Sequence, residues 1–305
     1  MDSPPHTQEA PELAVRCLLD NVQGLVDALS CIRWKKQQDA ICELSEHGMV
    51  ITVEEWTCLQ ARVYFRKELF REYQYQAGVR PRFGVSLALL IDCLHTFTSS
   101  TGTTALELRY PGPDMQLLLK LIDANNSCIN AEIRTRIPES IPREYIIDDE
   151  GNLPISFAVK SAALKEVIDD LEWPGSNITI TLSPAPPGVS FRGEGHGDLQ
   201  IDLPYDTQQD LFIAFQCNRH VSHRYKYKFL RATTSQIPNS ILKDNRGSKV
   251  TIGSTGLLKV QHLISVRPTH AQQHHYMDPS QVHARVSYIE FYVMPDEDDN
   301  NEGTQ

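Results

Sequence analysis

The chain has 305 residues, 41% of them hydrophobic and 22% charged, with a formal net charge of −10. That length suits one large domain or two of ordinary size, with the composition of a water-soluble globular protein. The acidic balance excludes a generally basic nucleic-acid coat, though not a local basic surface, and no apolar run approaches the ~20 residues that span a bilayer.

Residues 1–11 are polar and Pro-rich, and Met1-Asp-Ser-Pro-Pro-His lacks the basic start and apolar core of a secretory signal. Leu13 to Leu18 is expected as a first strand. Asp20 should then cap a helix, with Gln23 completing a capping box and Val22, Leu25, Val26, Leu29 and Ile32 forming its apolar stripe. Residues 39–76 read as several strands with turns near His47-Gly48 and Glu54-Glu55. Around Ser86 to Phe97 the period changes. Leu87, Leu90, Ile91, Leu94 and Phe97 make one helical stripe, Ser86 sits at the N-cap, and Ala88, Asp92 and His95 occupy the opposite side. Alternating runs follow at Ala105 to Tyr110, Met115 to Ile122 and Cys128 to Arg136, separated by Pro-Gly and Asn-Asn turns.

Residues 137–154, with Pro138, Pro142, Pro154 and an acidic run, read as a connector. The second half repeats the first: a strand at Ser156 to Lys160, then a helical stripe of Leu164, Val167, Ile168 and Leu171. Strands are expected at Asn177 to Leu182, Val189 to Gly193, Asp198 to Leu203 and Leu211 to Phe215. A fourth helix should begin at Tyr225 to Arg231 and end early at Thr233-Thr234 and Pro238. Lys249 to Ile252, Leu257 to Ile264 and Arg285 to Val293 complete the pattern. Leu25 and Leu164, Leu90 and Phe229, and Leu118 and Leu257 are each 139 residues apart, which supports duplication. Residues 267–285 then read as a His-rich insertion. The expected organisation is an arm at 1–11, a first domain at 12–136, the connector at 137–154, a second domain at 155–295 and an acidic tail at 296–305. The fold class is α+β, with helices gathered on one face of antiparallel sheets.

Catalytic motifs are weak. Asp148-Asp149-Glu150 and Asp169-Asp170 lack the converging carboxylates of a two-metal nuclease. Gly193-Glu-Gly-His-Gly197 has no following Lys-Ser/Thr and reads as a turn. His270, His274, His275 and His283 lack regular zinc-ligand spacing. The seven cysteines include no Cys-x-x-Cys pair and are expected as buried free thiols of a reducing compartment. The Asn125-Asn-Ser127 and Asn177-Ile-Thr179 sequons read as unused. No catalytic residue, metal or cofactor is expected.

The order of elements resembles that of DNA sliding clamps, the fold of proliferating cell nuclear antigen. Leu19-Asp-Asn-Val22, Leu90-Ile-Asp-Cys-Leu94, Tyr110-Pro111, Asp202-Leu-Pro-Tyr205, Phe215-Gln-Cys-Asn218, Arg224-Tyr-Lys226 and Glu290-Phe-Tyr292 with Pro295-Asp-Glu297 resemble the Rad-one family of checkpoint clamp subunits over Leu13 to Glu297. That resemblance implies a nuclear, non-catalytic subunit of the nine-one-one heterotrimer, with Rad-nine-like and Hus-one-like subunits as partners. It further implies a clamp loader, double-stranded DNA at primer–template junctions, checkpoint and repair proteins, and a part in meiotic recombination.

In such a ring the helices line a central hole and basic residues meet phosphates. The resemblance then assigns Lys160, Lys165, Lys226, Lys228 and Arg231, with His95, to the DNA side, against the competing account of an ordinary solvated face. The first helix would offer Gln23, Asp27 and Ser30 instead, with Arg33, Lys35 and Lys36 beyond its end. Family position places the subunit interface on two edge strands: Cys128, Ile129, Asn130, Ala131, Glu132, Ile133 and Arg134, and Asp198, Leu199, Gln200, Ile201, Asp202 and Leu203. A 3′–5′ DNA exonuclease and a DNA-free scaffold are the alternatives.

Overall fold

The structure is a computed structural model. It describes residues 13–20, 22–98, 105–122, 128–147, 154–173, 176–239, 242, 246–265 and 286–296. The first half runs β1 (Val15–Leu19), α1 (Val22–Cys31), β2 (Asp39–Ser45), β3 (Gly48–Glu55), β4 (Leu59–Arg66), β5 (Glu72–Tyr75), β6 (Arg82–Ser86), α2 (Leu87–Thr98), β7 (Ala105–Tyr110), β8 (Leu117–Ile122) and β9 (Cys128–Ile133). The second runs β10 (Ile155–Lys160), α3 (Ser161–Asp170), β11 (Asn177–Pro184), β12 (Pro187–Glu194), β13 (Asp198–Pro204), β14 (Phe212–Gln216), β15 (Val221–Lys226), α4 (Tyr227–Thr234), β16 (Gly247–Ile252), β17 (Leu258–Ser265) and β18 (Val286–Val293).

Period decides which residues go inside. In β8, Leu117, Leu119 and Leu121 are buried at every second position, as a strand with one face on the core requires. Val22, Leu25, Val26 and Leu29 of α1 are all buried, with Ile32 just past its end, as are Leu87, Leu90, Ile91 and Leu94 of α2. The side chain of Phe97 lies outside the described residues. Leu164, Val167 and Ile168 form the same stripe along α3, continued by Leu171 at its C-cap. Each fully buried leucine contributes about 1.5–3 kcal/mol relative to exposure. The helices pack in pairs, α1 along α2 and α3 along α4.

Among the described residues all strand pairings are antiparallel. Three sheets result, in the orders β5-β1-β7-β8-β9, β14-β10-β16-β17-β18-β4-β3-β2-β6 and β13-β12-β11-β15. The nine-stranded sheet crosses both halves of the chain, because β18 pairs with β4 from Tyr288 opposite Tyr64 to Val293 opposite Leu59. The Cys31 thiol reaches the Gln236 backbone oxygen at 3.2 Å across the same junction.

Several expectations are corrected. Glu54 and Glu55 lie within β3, and the turn falls at residues 56–58, where Trp56 has a φ of 52°. Glu54 is kept in the strand by Gln60 Nε2 at 2.5 Å and the Arg143 backbone N–H at 3.1 Å. Met115, with a φ of 63°, belongs to the turn before β8. Tyr225 and Lys226 are strand residues, since β15 runs directly into α4 at Tyr227 just as β6 runs directly into α2. Neither β6 nor β15 was expected, because neither alternates: β6 buries three residues in succession and β15 only Val221 and Tyr225. Asp20 Oδ1 accepts from Arg71 at 3.1 Å, and Gln23 donates forward to Asp27 at 2.6 Å, so these side chains do not form a capping box. Ser86 Oγ does accept from the Leu89 N–H, at 3.5 Å. Cysteines 17, 31 and 42 are buried, but Cys128 is exposed.

Candidate subunit and DNA interfaces

Two edge strands carry the expected interface residues. β9 ends the five-stranded sheet and β13 ends the four-stranded one. On β9, Cys128, Ile129, Asn130 and Glu132 are exposed and Ala131 is half-buried, while Ile133 turns into the core. Arg134, expected in this strand, lies beyond its end. The chain leaves β8 there, so that Arg136 can exchange backbone hydrogen bonds of 2.7 and 2.9 Å with Gly84. On β13 the alternation is strict. Leu199, Ile201 and Leu203 rest against the core while Asp198, Gln200 and Asp202 are exposed. Hydrogen bonds from Gln200 and Ser190 hold the Asp202 carboxyl below its ordinary pKa.

The ladder registers show what these edges correspond to inside the chain. In the first half Cys42 stands opposite Ile51, and Ile51 opposite Val63. In the second, Ile180 stands opposite Phe191, and Phe191 opposite Ile201. Strand β13 therefore occupies the place of β4. Likewise Leu108–Leu119–Ala131 repeats as Val250–Val260–Phe291, so β9 occupies the place of β18. Because Leu119 matches Val260, the Leu118–Leu257 anchor is two residues out of step with the ladders. Strands β4 and β18 form a closed joint, whereas β13 and β9 are the same two positions left open.

The helix faces are less basic than the resemblance implies. Among the described residues, helices α1 to α4 carry three cations, Lys165, Lys228 and Arg231, against five carboxylates, Asp27, Asp92, Glu166, Asp169 and Asp170. Most of the residues assigned to DNA are also held by acids. Lys160 Nζ meets Asp210 at 2.6 Å, Lys165 meets Asp169 one turn on at 2.6 Å, and Lys226 meets Asp296 at 3.3 Å. Arg231 pairs with Glu172, and Lys228 lies over the Phe229 ring at 4.7 Å. His95 is exposed near the end of α2. The lysines and arginine gather on the second half, from Lys160 to Arg231, and none lies on α1 or α2.

Two features escaped the sequence reading. The described part of the connector, residues 137–147, is fastened to the nine-stranded sheet. The Arg143 backbone oxygen accepts from Gln60 at 2.8 Å and from Arg62, and the Tyr145 ring stacks on Tyr292 at 5.6 Å. Ile137, Ile141 and Ile146 stay exposed along it. The second feature is a buried polar chain. His262 is fully buried, with Nε2 2.7 Å from the Thr233 backbone oxygen and Nδ1 2.7 Å from Ser248 Oγ, which in turn lies 2.8 Å from Ser161 Oγ. Burial pushes its pKa down to about 4. No period marks such a residue, because a histidine within an alternating strand reads as either face. Among the described residues no three His, Cys, Asp or Glu side chains group to hold a metal. Asp148, Asp149 and Glu150, together with His270, His274, His275 and His283, lie outside the described residues.

Antiparallel sheets with paired helices, repeated twice and joined by a shared sheet, make the fold that of the DNA sliding clamps. The chain superposes on a chain of the PCNA2–PCNA3 complex of Sulfolobus tokodaii with a TM-score of 0.65 at 14% identity, covering 92% of this chain and 98% of that one. It superposes on PCNA of Thermococcus kodakaraensis with a TM-score of 0.66 at 14% identity, covering 92% and 100%. Within that class, the family model for the repair proteins Rad1/Rec1/Rad17 matches residues 15–264, and the chain belongs to this family. It is similar to the cell cycle checkpoint protein RAD1 of Mus musculus, 28% identical over 95% of each chain. The protein of the same name from Homo sapiens is 28% identical over 92% of this chain and 91% of its own. The DNA repair protein Rad1 of Drosophila melanogaster is 23% identical over 81% and 86%.

Proposed function

We propose that this protein is a non-catalytic subunit of a heterotrimeric DNA damage checkpoint sliding clamp, one that encircles DNA and recruits signalling and repair factors in the nucleus. The observation that carries the reading is the pair of open edges, β9 and β13, at the two positions that β18 and β4 close within the chain. A protein with two complementary unpaired edges is completed by neighbours on both sides, and head-to-tail joints of this kind close into a ring. The two neighbours are the Rad-nine-like and Hus-one-like subunits, the ring is opened by a clamp loader, and the chain divides at the connector into two clamp domains.

With the helices lining the hole, Lys165, Lys228 and Arg231 approach phosphates from the second domain, supported by Lys160, Lys226 and, from the first, His95. Because acids hold most of these cations, the contact with DNA is weak and salt-sensitive. Topology retains the ring on DNA. An exonuclease reading is disfavoured at Asp169, whose carboxylate is taken by Lys165.

The test is the mass in solution, by light scattering, of the chain alone and mixed with both sister subunits. A one-to-one-to-one complex, ring-shaped in negative stain, is expected. A chain that ignores both sisters would overturn the clamp function. Magnesium-dependent DNA degradation abolished by substituting Asp148, Asp149 and Asp169 would overturn the non-catalytic assignment.

A further inference from the structure

The internal joint contains the register of the external one. At the β4–β18 junction, Val63 faces Ile289 and Ala61 faces Phe291 on the core side, while Arg62 faces Glu290 and Gln60 faces Tyr292 on the outer side. Carrying each strand to its counterpart (Val63 to Ile201, Ala61 to Leu199, Ile289 to Ile129, Phe291 to Ala131) sets Ile129 opposite Ile201 and Ala131 opposite Leu199. The outer row then follows: Asn130 opposite Gln200, Glu132 opposite Asp198 and Cys128 opposite Asp202. Apolar meets apolar throughout, so the transferred register is self-consistent in its faces.

Its charges are not. The internal joint sets opposite charges against each other, Arg62 and Glu290. Were one copy of the chain to pair with another, Glu132 would face Asp198, with no opposite-charge pair along the overlap. The nearby Arg192 already stands between Glu194 at 3.4 Å and Asp198 at 4.0 Å, and Arg134 lies beyond the end of β9, at the level of His196. All three acidic side chains of the two strands, Glu132, Asp198 and Asp202, are exposed. Like charges directly opposite on neighbouring strands oppose pairing, and opposite charges favour it.

We infer that the β13 edge receives a strand of a different clamp subunit bearing a lysine or arginine opposite Asp198, and that Glu132 keeps this chain from closing on copies of itself. The apolar rows of β9 and β13 supply adhesion that any clamp subunit could use. The outer charges select among subunits, a division of labour in which repulsion excludes the wrong partner. The inference rests on the clamp reading above.

The experiment is sedimentation velocity on the full-length chain and its charge variants, with the sister subunits as a separate arm. The wild type is expected to remain a monomer alone. Glu132→Lys and, independently, Asp198→Lys each convert the repulsive pair to an attractive one and should tighten self-association by about fivefold per junction. The double variant Glu132→Lys/Asp198→Lys restores repulsion and should return to the monomer. Because the two single changes lie on different strands, misfolding of one leaves the other informative. Self-association of the wild type, or single variants as monomeric as the wild type, would overturn the inference even if the wild type joins its sisters. Failure of the wild type to join either sister would instead remove the clamp reading beneath it.

Discussion

His262 Nε2 lies 2.7 Å from the backbone oxygen of Thr233, and the ring is wholly enclosed. A carbonyl only accepts, so Nε2 carries the proton, and the bare Nδ1 lies 2.7 Å from the Ser248 hydroxyl. The neutral ring thus ties β17 to α4 and β16.

This arrangement makes stability depend on pH. The folded-state pKa of about 4 lies below the ordinary 6.5, so on acidification the unfolded chain takes up the proton first. The contribution of His262 is complete above about pH 6.5 and lost progressively as pH falls towards 4, by on the order of 3 kcal/mol. Urea unfolding at pH 7, 5.5 and 4.5 checks it. His262→Gln should be less stable at pH 7 yet show a flatter decline, and parallel declines would assign the acid sensitivity elsewhere.

Ile129 is 39% exposed on β9. Ile129→Asp should leave the melting temperature of the monomer nearly unchanged. It should weaken one junction of the heterotrimer by about tenfold or more, because a carboxylate would be buried against the neighbouring strand. Size-exclusion chromatography with the sister subunits reads this out. An unaffected complex would remove β9 from the interface.

The pair Lys165–Asp169 offers a two-way test of the DNA side. Lys165→Glu and Lys228→Glu should slow loading and lower the salt slope of DNA association by about 0.9 for each phosphate that is no longer neutralised, with the ring intact. Asp169→Asn frees Lys165 and should act in the opposite direction. A slope indifferent to all three would place these helix faces away from DNA.

Glu107 lies at 5% exposure between Arg16 at 2.5 Å and Arg109 at 2.9 Å. Burial raises its pKa, but the hydrogen bonds from Arg109 and Arg16 outweigh burial and hold the carboxyl below its ordinary value. Glu107→Ala leaves two cations facing each other and should cost about 1–2 kcal/mol, after discounting for the partly exposed arginines. Thermal unfolding at neutral pH measures it, and a change below about 0.5 kcal/mol would mean that solvent replaces the carboxylate.

The helices and most strands were legible because burial follows period. The stripe of Leu164, Val167, Ile168 and Leu171 is the buried face of α3, and the alternation of Leu199, Ile201 and Leu203 is the inner face of β13. Strands β6 and β15 were not, because neither alternates cleanly: Phe83, Gly84 and Val85 are buried in succession in β6, and only Val221 and Tyr225 are buried in β15. The positions of Lys165, Lys228 and Arg231 on helices were legible too. The acids that hold Lys160, Lys226 and Arg231 were not. Asp210, Asp296 and Glu172 are all distant in sequence from the cations they meet, Asp210 by 50 residues and Glu172 by 59, and no sequence pattern encodes such a meeting.

The pairing of β18 with β4 has a consequence for synthesis. Strand β4 is complete once Arg66 is made, but its partner follows only after most of the remaining chain, at Val286–Val293. Throughout that interval the nascent chain carries an uncovered strand whose Leu59, Ala61 and Val63 await burial. Such an edge invites association with other chains. The order of translation therefore creates a window in which a checkpoint clamp subunit is most vulnerable to premature pairing, and any truncation before Val286 would make that vulnerability permanent.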